Sequence, residues 1–201
     1  GSLGLHRLGG RNVLDNDRAQ LMAGGYRRLI NEEDRQLTVG VTGMHWRHSE
    51  NAGEFTFGHG GYYSPGKYSS LALPVTYGFR TARTSFAVRA SVSVAWSELE
   101  RAPYFPTDPG LQAQAVALAP VNGIDPWYPA SDEGRSYGRA LGAALEHQLL
   151  PGLFVGGRVE LERSTNYTPN RFLFYVRLAT DRPSARPVAF PPEPVLPSSQ
   201  Y

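Results

Sequence analysis

The chain has 201 residues and a formal charge of +2, and its 20 Lys and Arg are scattered rather than clustered, so no nucleic-acid footprint is drawn. The length fits one domain, the lack of Cys excludes a disulfide framework or thiolate metal site, and no run of 18 apolar residues exists for a membrane-crossing helix. A mean hydropathy of -0.36 and a pI of about 9.0 leave a transmembrane β-barrel open, because barrel strands alternate and average out as hydrophilic.

Gly1 to Arg11 has neither the charged start nor the apolar run of an export signal. Period-2 alternation then predicts strands over Ala19–Ile30 and Leu37–His48, the second with Leu37, Val39 and Val41 opposed to Thr38, Gly40 and Thr42. A long glycine-rich aromatic loop, Ser49–Gly66, holds Phe55-Thr-Phe-Gly-His-Gly-Gly-Tyr-Tyr-Ser-Pro65. It opens into Tyr68–Phe79, where Leu71, Leu73, Val75, Tyr77 and Phe79 share one face and Ala72, Pro74, Thr76 and Gly78 the other. The strongest alternation follows at Ser85–Ser97, with Phe86, Val88, Ala90, Val92, Val94 and Trp96 against a small and polar face that includes Arg89, Ser91 and Ser93.

Glu98–Gly134 is predicted as a second long loop. Tyr137–Leu149 has helix-forming Ala and Leu, yet its alternation of Leu141, Ala143 and Leu145 with Gly142, Ala144 and Glu146 places it as a strand among strands. Leu153–Arg163 opposes Leu153, Val155, Val159 and Leu161 to Arg158, Glu160 and Glu162. The last strand opposes Phe172, Phe174, Val176 and Leu178 to Arg171, Tyr175 and Arg177. Residues 1–180 thus read as one β segment of about seven strands, and 181–201, with Pro at 183, 187, 191, 192, 194 and 197, as an extended tail.

Short turns at Asn31–Arg35, Thr81–Thr84 and Leu150–Gly152 alternate with the two long loops, the asymmetry of an outer-membrane barrel with short periplasmic turns. The fold class expected is therefore all-β, an antiparallel transmembrane β-barrel. Parity puts the last strand's end in the periplasm and residues 1–18 outside. Since such barrels start and finish in the periplasm with an even strand count, the chain reads as part of a larger barrel.

No catalytic motif is found. His45 and His48 fall on opposite faces of a strand, Ser64 lacks a Gly-x-Ser-x-Gly context, and Gly58–Gly61 does not open a helix. Glu160 and Glu162 share a face beside Arg158 and read as wall charges rather than as a glycosidase pair. The loops do carry Tyr62, Tyr63, Tyr68, Tyr104, Phe105, Trp127 and Tyr128. Such rings suit either the faces of sugars or the interfacial girdle of a barrel, and both readings stay open.

At Gly58-His-Gly-Gly-Tyr-Tyr-Ser-Pro65, Tyr68 and Leu71-Ala-Leu-Pro-Val75, the sequence resembles the C-terminal outer-membrane barrel of the bacterial cellulose synthase operon protein C family. Further matches lie at Gly10-Arg-Asn-Val-Leu-Asp-Asn16, Tyr104-Phe-Pro-Thr107 and Arg171-Phe-Leu-Phe-Tyr-Val-Arg177. The resemblance implies the C-terminal half of a barrel of about twice as many strands, near sixteen. It implies a non-enzymatic, porin-like channel that exports a β-1,4-glucan, cellulose, into the biofilm matrix. Its expected setting is the outer membrane of a Gram-negative bacterium. Expected partners are the glucan, outer-membrane lipid, N-terminal barrel strands and a periplasmic helical-repeat part absent from this chain, and indirectly the inner-membrane cellulose synthase complex. No nucleic acid, cofactor or metal is expected.

On that reading His59, Tyr62, Tyr63, Tyr68, Tyr104, Trp127 and Tyr128 would contact or gate the glucan, and Arg89, Arg158, Glu160, Glu162, Arg171 and Arg177 would face the lumen. Position 66 is Gly where the family commonly has Gln, and the Pro-rich tail is a second departure. The rival expectations are a secreted carbohydrate-binding β-sandwich and an outer-membrane enzyme.

Overall fold

In the computed structural model, residues 1–164 and 168–179 are described. Among the described residues the chain is all-β apart from one helix. The strands are β1 (Ser2–Leu8), β2 (Asn16–Asn31), β3 (Arg35–His48), β4 (Lys67–Arg80), β5 (Thr84–Leu99), β6 (Ala102–Pro103), β7 (Trp127–Tyr128), β8 (Ser131–Leu150), β9 (Leu153–Arg163) and β10 (Asn170–Leu178), with helix α1 (Pro109–Asn122) between β6 and β7. Eight of them form one sheet in the order β1-β2-β3-β4-β5-β8-β9-β10, and β6 pairs with β7. Antiparallel registers run from Ser2 opposite Met22 to Leu8 opposite Asn16, and from Arg139 opposite Arg163 to Leu150 opposite Leu153. In the last pair, Asn170 stands opposite Leu161 and Leu178 opposite Leu153.

The contacts sort into two compact units. One gathers Gly1–Gly24, Thr42–Leu71 and Val94–Ser136, and the other Gly25–Val41, Ala72–Ser93 and the chain from Tyr137 onward. In both, burial inverts that of a water-soluble protein. The apolar face stays exposed: Val92 is 58% and Phe174 86% accessible, and Leu3, Leu5, Leu71, Leu73, Val176 and Leu178 are exposed with them. The opposite face holds the buried groups, among them Ser85, Ser97, Asn16 and Glu146. The alternation read in the sequence is therefore correct in its facing, but its apolar face lies uncovered by any second layer among the described residues. Leaving so many large side chains bare in water would forfeit about 1.5–3 kcal/mol for each one not buried. No described helix is long and apolar enough to cross a membrane.

Three expectations are corrected. The first strand, expected to begin near Ala19, is preceded by another: Ser2–Leu8 is a strand with Leu3 and Leu5 on the apolar face, and β2 itself starts at Asn16. The long sheet therefore has eight strands, not seven, and the parity argument that put the chain's start at the loop end no longer holds. The loop predicted over Glu98–Gly134 contains β6, α1 and β7 and ends early, since β8 begins at Ser131. Helix α1 starts where the Asp108 carboxylate accepts from the Leu111 N–H (2.9 Å) with Pro109 at its first turn, and stops at Gly123 with φ +65°. None of its residues is buried, so it shows no amphipathic period to read. Residues 181–201, the predicted tail, lie outside the described residues.

Candidate functional site

In the first unit the glycine-rich loop 49–66 is a fastened structure. Asn16, 2% accessible, is its main anchor. Its Nδ2 donates to the Glu50 carbonyl (2.8 Å) and the Tyr62 hydroxyl (2.9 Å), and its Oδ1 accepts from Ser49 Oγ (3.1 Å) and the Glu50 N–H (3.0 Å). Asn51 donates to the Glu100 carbonyl (2.8 Å), and buried Ser64 Oγ accepts from the Ala52 N–H (2.8 Å). The Leu14 N–H reaches the Gly58 carbonyl at 2.8 Å. Gly58, at φ +98°, has no room for a side chain, because a Cβ there would run into Thr107.

This fastening brings several of the predicted aromatics together. His59 is buried, with Nε2 donating to the Pro103 carbonyl (2.8 Å) and its ring edge-on to Tyr128 at 5.6 Å. Tyr104 packs 4.5 Å from Tyr128, whose hydroxyl donates to Thr56 Oγ1 (3.2 Å), which donates to the Tyr104 carbonyl (2.7 Å). Trp127 lies under the Arg101 guanidinium at 4.9 Å, and Arg101 pairs with Asp125 (3.0 Å). Tyr62 is held by Asn16, whereas Tyr63 is exposed. Tyr68 belongs to a different cluster: it stacks on Trp46 with ring centres 3.9 Å apart and planes 9° from parallel.

In the second unit the polar face carries the predicted charges. Arg158 pairs with Glu160, which also meets Arg171 at 3.6 Å. Arg177 donates to Glu146 at 2.6 Å and 3.1 Å, and the Tyr175 hydroxyl reaches the same carboxylate at 3.1 Å. Arg89, Arg158, Glu160 and Glu162 line one concavity with Ser91 and Thr76. Sequence reasoning missed Asn16, Ser64 and Trp46, and gave Glu146 no role although it stood as the lone acid on its strand's small face. Among the described residues, no three metal-ligating side chains cluster.

An antiparallel sheet with an exposed apolar face, a paired-charge polar face and a fastened aromatic loop cluster defines the class as an all-β antiparallel sheet protein. The chain belongs to the cellulose synthase operon protein C family: the model of that protein's C-terminus matches residues 1–181. Cellulose synthase operon protein C of Xanthomonas axonopodis pv. citri is 40% identical over 192 residues, covering 90% of this chain and 13% of that protein. The proteins of the same name from Escherichia coli K12 and Salmonella typhimurium are 31% and 32% identical, each covering 100% of this chain and 17% and 16% of their own lengths. The chain thus spans less than a fifth of these relatives.

Proposed function

We propose that this chain is part of the wall and mouth of an outer-membrane β-barrel of about sixteen strands through which a β-1,4-glucan, cellulose, leaves a Gram-negative cell for the biofilm matrix. The observation that carries the reading is the inverted burial, since an exposed apolar face such as that of Val92, Phe172, Phe174 and Val176 suits lipid, and a sandwich would bury it. Family membership supplies the polymer.

On this reading the polar face is the lumen. Its Arg158 and Arg171 are paired with Glu160 and its Arg177 with Glu146, which suits a neutral chain that must not be held tightly at any point. The loop cluster of His59, Tyr62, Tyr104, Trp127 and Tyr128 forms the outer mouth, and the chain carries no catalysis of its own. The last strand ends in the periplasm. The remaining barrel strands and a periplasmic helical-repeat part come from elsewhere in the full-length protein, which receives the glucan from the inner-membrane synthase.

The test is a full-length exporter in which residues 1–180 are deleted, assayed for cellulose at the cell surface and in the periplasm. Loss of surface glucan with periplasmic retention is the expected result. Undiminished surface glucan would remove this segment from the export path.

A further inference from the structure

Basic side chains occur on both faces of the sheet, and they are partnered differently. On the polar face Arg158, Arg171 and Arg177 each meet a carboxylate. In the first unit four cations stand instead on the apolar face. Arg7 lies in β1 in phase with Leu3 and Leu5, Arg47 in β3 in phase with Val41, Lys67 in β4 in phase with Leu71, and Arg135 in β8 in phase with Tyr137. All four lie beside the loops that follow β1, join β3 to β4 and precede β8. A charge facing lipid is costly at mid-depth and nearly free at the interface, where its stem covers apolar surface and its head reaches the headgroups.

The surface around these cations is hollowed. Arg7, Asp17 and Arg47 line one concavity with Leu5 and Ala19, and Lys67, Trp96, Glu98 and Arg135 line a second with His45 and Ser69. Two of the cations are already offset, Arg7 by Asp15 at 3.5 Å and Lys67 by Glu98 at 3.0 Å. Arg47 and Arg135 are exposed and meet no carboxylate among the described residues. The Arg135 guanidinium lies over the exposed Trp96 ring at 6.0 Å, an interfacial aromatic that holds it against the apolar surface.

We propose that this rim binds the headgroup of an outer-leaflet glycolipid built on a disaccharide phosphorylated at both ends, with Arg47 and Arg135 as its two phosphate contacts. The proposal rests on the outer-membrane reading above. In the sheet order β3-β4-β5-β8, the strands of Arg47 and Arg135 are three spacings apart, about 14 Å, a span that such a disaccharide bridges. Each guanidinium offers a planar fork that fits a phosphate bidentately. Below the headgroup, exposed Leu5 and Leu71 continue the apolar face on which acyl chains lie. A glycerophospholipid with a single phosphate engages one arginine and leaves the other unused.

Native mass spectrometry of the full-length exporter in detergent tests this, titrated with bisphosphorylated lipid A, monophosphorylated lipid A or dioleoylphosphatidylglycerol. Bisphosphorylated lipid A should bind tightest. Arg47→Gln combined with Arg135→Gln should weaken it about tenfold, with heat-modifiable gel mobility unchanged. Arg27→Gln combined with Arg83→Gln removes the same charge beside the short turns and should leave the binding as in the wild type. Equal binding of phosphatidylglycerol, or equal losses in the two double variants, would reduce the rim to general attraction of anionic lipid and overturn the site. If the Arg47 and Arg135 double variant does not fold, Arg47→Gln alone decides by the same titration: a loss confined to bisphosphorylated lipid A supports the site, and no loss overturns it. Lipid binding is read without glucan, so its failure leaves the export reading standing, and deletion of residues 1–180 remains the separate test of that reading.

Discussion

The phenol of Tyr175 lies across Gly156 and occupies the space a side chain there would need. Tyr175 stands opposite Gly156 in β9, and Gly156 opposite Glu146 in β8, so one ring spans three strands to donate to a buried carboxylate. Tyr26 leans over Gly40 in the same way, where an added Cβ would come within 2.5 Å of the ring. These glycines are needed for the close approach of a ring, not for an unusual backbone angle.

Gly156→Ala should therefore displace Tyr175 and release its bond to Glu146, costing about 1–3 kcal/mol. Urea titration of the full-length protein folded in liposomes would measure it. Unchanged stability would show that the ring can move aside freely.

Arg177→Met should be worse, at about 3–5 kcal/mol, since Glu146 is 1% accessible and would keep a buried charge without its cation. Combining it with Glu146→Gln should recover much of the loss. A double variant as unstable as the single would mean that Arg177 acts through its packing over the Phe154 ring at 3.9 Å instead.

Val92→Arg should impair folding far more than Ser91→Arg. A charge facing lipid near mid-depth costs about 2–4 kcal/mol, whereas Ser91 lines the polar concavity beside Arg89. Folding yield by heat-modifiable mobility compares them, and equal defects would reverse the proposed facing.

Asn16→Ala removes four hydrogen bonds that hold loop 49–66, while Tyr62→Phe removes one. In the full-length exporter, Asn16→Ala should raise amide exchange across the loop and sensitise cells to a large hydrophilic antibiotic, with Tyr62→Phe intermediate. Equal protection in both variants and the wild type would assign the loop's rigidity to its backbone bonds alone.

Much of this was legible because a strand's two faces are written in strict alternation: Val92 and Ser91 declare opposite environments from sequence alone. The loop fastening was not legible. Asn16 and Tyr62 are far apart in the chain, and nothing local marks either as the other's partner. Trp46 was overlooked because a ring on a polar face interrupts the pattern by one residue and so resembles noise. Helix α1 had its stop and start signals in Asp108, Pro109 and Gly123, but without a buried face it carried no period to connect them. Strand β1 was hidden by brevity and by Gly4 within it.

The two long loops share a compositional trait with a practical outcome. No Lys or Arg occurs between Arg47 and Lys67, nor between Arg101 and Arg135. Trypsin and proteases of its specificity thus have no bond to cut in either stretch, however far the loops swing, and digestion of intact cells would leave them whole. A protease that cleaves after Glu or aromatic residues would find Glu54 and Phe55 at the loop surface, Phe55 being 91% accessible. Shaving cells with the two kinds of enzyme side by side would turn that difference into a clock for how often the loop lifts.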